Sequence, residues 1–355
     1  MEPRIWSSLP EELLEKILSF LPFKMILNLR STCKFFNSLI SSPNFIYKYS
    51  SSSPLFSSFL LLSHPQCHHH LALYDSVVGT WRNNSVSPSL LLPSAAPSAI
   101  LSSSNGLVCL SVPSSSSLLV CNLLTNSTRS IEFPTYPFQF ELLTLISTPG
   151  GYTIFILCSW SSSTDVFLYD SKFLSWRRFD GSQPILSDNF HQKGAFFHGC
   201  LYFTTPEPCS IVCFDLETGK WDRPNGELPD QLIFARLVSD GDGKLYMIGG
   251  VGTNGISRSM ILWEMGEAGN WVKLDSLPEF MCRKFGSVCY HNYEHVYCFW
   301  HQGMICICCY TWPEILYYKF SRRTWHWLPK CPSLPEKWSC GFRWFSFVPE
   351  LSALV

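Results

Sequence analysis

The chain has 355 residues, 46% of them apolar and 15% charged, with a net charge of −1. That composition supports a sizeable core and excludes wholesale disorder, and the near-neutral balance argues against binding nucleic acid or a membrane surface by bulk charge. Uncharged apolar runs such as Thr153–Trp160 fall far short of the ~20 residues of a membrane span.

The N-terminus, Met1-Glu2-Pro3-Arg4-Ile5-Trp6, lacks the basic region and apolar run of a secretory signal. The 16 cysteines therefore read as small buried hydrophobes of a reduced protein, not as a disulfide framework, and the expected location is the nucleus or cytoplasm. An aromatic content of 15% suggests an all-β body packed on large side chains.

The chain opens with helical signals. Ser8 and Glu11 fit a capping box, with Pro10 in the first turn. Leu13, Leu14, Ile17, Leu18 and Leu21 form an apolar stripe at helical spacing, which Pro22 ends. A second helix is expected over Met25–Arg30 and a third over about Cys33–Ile40, where Pro43 stops it. Three short helices cannot bury so much apolar surface alone, so the stripe must meet the rest of the chain or a partner.

Leu9-Pro10, Leu13-Leu14, Ile17-Leu18, Leu21-Pro22, Arg30, Cys33-Lys34, Phe36, Leu39-Ile40, Pro43 and Phe45 closely resemble an F-box. Thr32 and Phe35 stand where members of that family often carry Val and Trp. The resemblance implies a domain over residues 1–49 that docks on a Skp1-like adaptor, and through it on a cullin and a RING protein. The residues it assigns to that contact are Leu9, Pro10, Leu13, Leu14, Ile17, Leu18, Leu21, Pro22, Arg30, Cys33, Lys34 and Phe36.

Residues 50–64 are Ser-rich and read as a junction that also starts the next domain. Residues 65–355 carry a recurrent pattern in which an apolar run ends on a polar residue, a turn follows, and Trp begins the return strand. The pairs are Asp75/Trp81, Asp170/Trp176, Asp215/Trp221, Glu264/Trp271 and Lys319/Trp325, with Asn122/Thr128 as a degenerate copy. Upstream strand pairs are expected at Gly194–Phe203 and Phe285–Phe299. Four strands per unit at a period near ~50 suit the blades of a propeller. Leu245-Tyr-Met-Ile-Gly-Gly250 carries the double glycine of a kelch repeat, so the series resembles degenerate kelch repeats.

Six units predict a six-bladed kelch-type β-propeller. Unit one shows only three strands, so the spare strand Gly341–Val348 is predicted to supply its inner strand and close the ring. Together the two parts resemble plant F-box/kelch-repeat proteins. Arg4-Ile5-Trp6-Ser7, the Cys121-Asn122-Leu-Leu-Thr stretch, Ser321–Pro335 and Gly341-Phe342 point to the Unusual Floral Organs group within them.

Catalytic signals are weak. Cys67-His68-His69-His70 invites a metal, but adjacent residues point in different directions and no second Cys pair accompanies them. Cys306, Cys308 and Cys309 lie on a strand-like run and read as buried thiols. Gly249-Gly250-Val-Gly252 follows a strand with no helix after it, which disfavours a phosphate loop. No cofactor, metal or catalytic residue is called for. Target choice is expected on the loops at one propeller mouth, where Arg236, Arg258, Arg283 and Lys284 offer charge to an acidic partner. The expected function is a non-catalytic substrate receptor of a Skp1–cullin–F-box ubiquitin ligase with an unknown protein target. A non-degradative scaffold, a transcriptional cofactor, a small-ligand or glycan receptor, and a propeller oxidase are the competing classes.

Overall fold

The structure is a computed structural model. It describes residues 9–355 apart from 22, 31, 53–57, 68–70, 87–98, 113–116, 126, 135–139, 161–162, 180–185, 187–190, 207–208, 225, 242, 333 and 335–336.

Among the described residues four helices come first: α1 (Glu11–Ser19), α2 (Phe23–Arg30), α3 (Lys34–Ile40) and α4 (Pro43–Ser52). Pro10 caps α1 without a side-chain hydrogen bond, and Glu11 and Glu12 favour the positive end of the helix dipole. Ser8 of the expected capping box lies outside the described residues. The third helix ends at Ile40, ahead of Pro43 as expected, and Pro43 also opens a fourth, where its fixed φ and missing N–H suit a first turn. That helix runs past the expected domain boundary at residue 49. Its Phe45 and Tyr49 stand one turn apart, are fully buried and stack at 5.7 Å. Lys48 pairs with Glu15 at 2.5 Å, tying α4 to α1.

The remainder forms six four-stranded antiparallel sheets. Blade 1 runs outward as β24 (Arg343–Phe347), β1 (Phe59–Ser63), β2 (Leu71–Asp75) and β3 (Thr80–Val86). Blade 2 has β4 (Ile100–Ser104), β5 (Leu107–Ser111), β6 (Ser117–Asn122) and β7 (Ser127–Glu132), and blade 3 has β8 (Leu142–Thr148), β9 (Gly151–Trp160), β10 (Ser163–Asp170) and β11 (Ser175–Phe179). Blade 4 comprises β12 (Ala195–Phe197), β13 (Cys200–Thr204), β14 (Ile211–Asp215) and β15 (Trp221–Asp222). Blade 5 comprises β16 (Leu232–Ser239), β17 (Leu245–Thr253), β18 (Ile256–Met265) and β19 (Trp271–Ser276), and blade 6 β20 (Val296–His301), β21 (Met304–Cys309), β22 (Trp312–Lys319) and β23 (Thr324–Trp327).

The predicted closure is present. β24 pairs antiparallel with β1 from Phe59↔Phe347 to Ser63↔Arg343, so the last strand of the chain is the inner strand of the first blade. The Trp pattern is the expected hairpin: Tyr74↔Trp81, Tyr169↔Trp176, Phe214↔Trp221, Met265↔Trp271 and Tyr318↔Trp325 are cross-strand partners, with Cys121↔Thr128 in the degenerate unit. Each Trp sits at the seam with the preceding blade. The Trp176 indole N–H donates to the Glu132 carbonyl at 2.9 Å, and that of Trp81 to Pro329 at 2.9 Å.

The inner strands have one edge without a sheet neighbour, whose polar groups need partners. Side chains from adjacent blades supply them. Ser102 and Ser104 of β4 accept from the Leu145 and Ser147 N–H groups of β8 at 3.1 and 3.0 Å. Ser103 donates to the Ser346 carbonyl of β24 at 2.8 Å, and Thr204 to the Ala235 carbonyl of β16 at 3.3 Å. Gly250 is required by packing: a Cβ there would come within 2.4 Å of the Phe234 ring, which stacks on Tyr293 at 4.3 Å.

One expected strand pair is absent. Residues 285–299 hold the end of a helix, α5 (Glu279–Val288), and a tight turn, and the strand begins at Val296. Pro278 starts the helix, and Cys282, Phe285 and Cys289 bury one helical face. The helical period thus prevails over the alternation expected of a strand.

Candidate protein-interaction surfaces

The apolar stripe of α1 divides into two faces, because successive residues of a helix stand ~100° apart. Leu14 and Leu18 are 3% and 4% exposed and enter a core shared with Ile26, Leu39, Ile40, Phe45 and Tyr49. Leu13 and Ile17 point outward at 46% and 37% exposure, and the same face continues to Phe20 at 68%. Met25 on α2, Phe35 on α3 and Tyr47 on α4 are also exposed. Among the assigned contact residues, Leu9, Leu21, Arg30 and Phe36 are half-buried, and Pro10, Cys33 and Lys34 are exposed. Pro22 lies outside the described residues. Phe20, Met25 and Tyr47 were not singled out from the sequence, yet extending Leu13 and Ile17 by three residues along the wheel reaches Phe20.

The inward face does not stop at the helices. The same core takes in Leu61, Phe345 and Phe347 of blade 1 and Ile100, Val108, Leu110, Leu119 and Cys121 of blade 2. The Arg30 guanidinium donates to the Leu124 carbonyl in the β6–β7 turn and to Asn37 Oδ1 at 3.3 Å. The helices thus pack on the side of the propeller bearing the turns from first to second and third to fourth strands. The turns from second to third strands and the connections between blades occupy the other side, since strand direction alternates within each blade.

Three of the four expected surface cations stand on that far side, around α5. Arg258 is exposed and lines a shallow groove of about 690 Å³ with Arg283, Glu279, Tyr290 and His291. Arg283 forms an exposed ion pair with Glu279, and Lys284 pairs with Glu314 at 2.8 Å while lying 3.9 Å over the Trp327 ring.

Arg236 corrects the sequence reading, because it is buried and unavailable to a partner. Its Nε and one terminal nitrogen donate to the Val296 and Tyr293 carbonyls, both at 2.6 Å, and the other to Ala235 at 2.7 Å. Burial pushes its pKa down to about 10. Three carbonyls at the junction of blades 5 and 6 have captured the guanidinium.

Among the described residues no cluster of three or more His, Cys, Asp or Glu is arranged to hold a metal. His68–His70 lie outside those residues. Cys306, Cys308 and Cys309 are buried as expected, and burial raises all three thiols. Burial likewise pushes Cys109 and Cys121 up to about 12, far from the range of a reactive thiolate. Among the described residues no helix is long and apolar enough to cross a membrane.

Residues 6–48 match the F-box domain family. An Arabidopsis thaliana F-box/kelch-repeat protein is 56% identical over 366 residues, spanning 100% of this chain and 90% of the relative. Protein UNUSUAL FLORAL ORGANS of the same plant is 23% identical, over 94% of this chain and 80% of the relative. The Arabidopsis protein called SKP1-interacting partner 15 is 27% identical, over 80% of this chain and 84% of its own.

Proposed function

The chain belongs to the F-box/kelch-repeat family, and we propose that it is the substrate-recognition subunit of a Skp1–cullin–F-box ubiquitin ligase in the nucleus or cytoplasm. The observation that carries this reading is the outward apolar face of the N-terminal helices. Leu13, Ile17, Phe20, Met25 and Phe35 are large side chains left in water by a module whose other face enters the core it shares with blades 1 and 2. A helical surface of that kind, within a segment matching the F-box domain, suits a Skp1-like adaptor, and one relative is itself named for interaction with Skp1.

In this reading the chain performs no chemistry. The helices hold the adaptor and thereby the cullin and RING protein. The far propeller side, around Arg258, Arg283 and Lys284, holds the target. Ubiquitin transfer is accelerated because a target lysine is kept at high effective concentration beside the charged enzyme. The buried core shared by helices and blades supports this role, since a loose joint would dilute that concentration.

Co-purification with a Skp1-like adaptor tests the reading, comparing the intact chain with the double variant Leu9→Ala/Pro10→Ala. Capture by the intact chain and loss in the variant, with an unchanged melting transition, is the expected result. No capture by the intact chain would remove the ligase reading and leave a propeller scaffold.

A further inference from the structure

The inner strands surround an axial cavity of about 410 Å³. Its walls come from the inner strands β4, β8, β12, β16, β20 and β24, and its inner end from His191–Gly194, the segment before β12. That segment is anchored across the ring. The Gln192 amide donates to the Leu237 carbonyl at 3.1 Å and accepts from the Cys298 N–H at 2.8 Å, while the Gly194 N–H donates to Thr144 Oγ1 at 3.1 Å.

Lys193 therefore lies on a fixed backbone, and it lines the cavity together with Arg343 of β24. Neither side chain has a described carboxylate partner. The Arg343 guanidinium lies 6.0 Å from the centre of the Tyr310 ring. Burial, with Arg343 second, pushes the Lys193 amine down to about 7. Among the described lining residues the single acid is Asp240, whose Oδ1 accepts from the Lys244 N–H at 2.6 Å.

The hydroxyl groups add to this bias. Ser102, Ser104 and Thr144 line the cavity, and each accepts a hydrogen bond from a backbone N–H. Each keeps its own proton to donate. Two cations and three O–H donors facing one chamber form an anion receptor that is electrostatically unfavourable when empty.

We propose that the axial cavity binds a small phosphomonoester, with the phosphate dianion between Lys193 and Arg343 and its remaining oxygens on Ser102, Ser104 and Thr144. Two cations match a dianion better than a carboxylate monoanion. The volume lies within the ~300–1,000 Å³ of small-molecule sites. The rim residues Asn105 and Gln302 belong to turns between first and second strands, on the side that carries the helices and away from the connections that suit a protein target. That placement favours a free metabolite over a phosphorylated side chain. The site is independent of the ligase reading, because loss of adaptor binding leaves the cavity unchanged.

Calorimetry and thermal melting of the full chain with inorganic phosphate and with phenyl phosphate test the proposal. Saturable binding and a phosphate-dependent rise in Tm are expected, with affinity at least tenfold weaker in Lys193→Met and in Arg343→Gln. Lys193→Met should raise Tm without phosphate, by removing a confined cation, while losing the phosphate-dependent increment, which separates lost binding from lost folding. Proton uptake on binding at pH 8 should also vanish in Lys193→Met. Of the other groups near Lys193, Cys109 is pushed up to about 12 and His191 down to about 3, so neither takes up the proton at pH 8. Absence of a phosphate effect, unaltered binding in both variants, acetate binding as tightly as phosphate, or tighter binding of a phosphoserine peptide than of phenyl phosphate would each overturn the assignment.

Discussion

The helical module and the propeller handle apolar surface in opposite ways. The propeller spends the Trp of each complete repeat on the seam with its neighbour and exposes large apolar side chains at scattered points, such as Phe173 in a hairpin turn and Phe280 on α5. The helices bury one face against blades 1 and 2 and leave Leu13, Phe20, Met25 and Phe35 in water. The unit that carries Thr128 in place of Trp belongs to blade 2, against which the helices pack. A closed ring completes its own core, whereas a small helical module completes its core by borrowing blades on one side and by waiting for a partner on the other.

That contrast breaks most severely if the ring is opened. Deleting residues 338–355 removes β24, leaves β1 as an exposed edge, and discards the buried side chains Phe342, Trp344, Phe345 and Phe347. No folded monomer is expected. A truncated chain that is monomeric and melts cooperatively would show that closure is dispensable.

The two faces of α1 sharpen the contrast next. Leu18→Ala should cost about 2–5 kcal/mol of stability, because a core shared with both blades cannot collapse around the gap. Leu13→Ala/Phe20→Ala should change stability by about 0.5 kcal/mol or less and weaken adaptor binding by at least tenfold. Chemical denaturation and adaptor titration of both variants read the split directly. If Leu18→Ala unfolded no more easily than the outward pair, the helices would not share the propeller's core.

The propeller was legible in the sequence because it repeats. Each hairpin places a polar residue, a turn and a Trp at fixed spacing, and a three-stranded first unit with a spare final strand implies closure. Local pattern could not say which half of the Leu13–Leu21 stripe faces inward, since that depends on where blades 1 and 2 lie. Arg236 failed for the same reason: its neighbours in the chain are strand-like, but three distant carbonyls decide its burial. Residues 285–299 misled because apolar residues at spacing 282, 285 and 289 belong to a helix whose start, Pro278, stood outside the segment read as strands. The cation pair in the channel had no sequence signal, because Lys193 and Arg343 are brought together only by closure of the ring.

Acid should loosen the ring at the blade 6–blade 1 seam. His301 is fully buried there, bridging Ser346 Oγ at 2.8 Å and Ser76 Oγ at 2.9 Å. Burial pushes its pKa down to about 4 from an ordinary value of 6.5. The unfolded chain therefore takes up a proton that the folded chain refuses, so stability is retained above pH 6.5 and falls as pH drops towards 4. The loss should be on the order of 3 kcal/mol for this residue. His301→Asn should be less stable at neutral pH and lose less between pH 6.5 and 4. A parallel decline in both proteins would place the acid sensitivity elsewhere, His191 being the next candidate, with its pKa pushed down to about 3.

The smallest effect on folding is expected on the far side of the propeller. Arg283 and Glu279 are both largely exposed, and an i,i+4 pair in water is worth about 0.3–0.5 kcal/mol. Arg283→Ala and Arg258→Ala should thus leave Tm almost unchanged, whereas Arg236→Ala, which removes a buried side chain and its three hydrogen bonds to carbonyls, should not. If an acidic target docks around α5, the two surface variants should slow its association and flatten the salt dependence, since exposed charges act on encounter rate and are screened beyond ~10 Å at 0.1 M salt. Lys284→Ala should act in the same direction, and it also uncovers the face of the Trp327 ring on which the ammonium lies. It frees Glu314 as Arg283→Ala frees Glu279, so both make the site more negative to the same partner. Equal target binding by all three variants would move recognition away from α5 while leaving the fold and the adaptor surface as described.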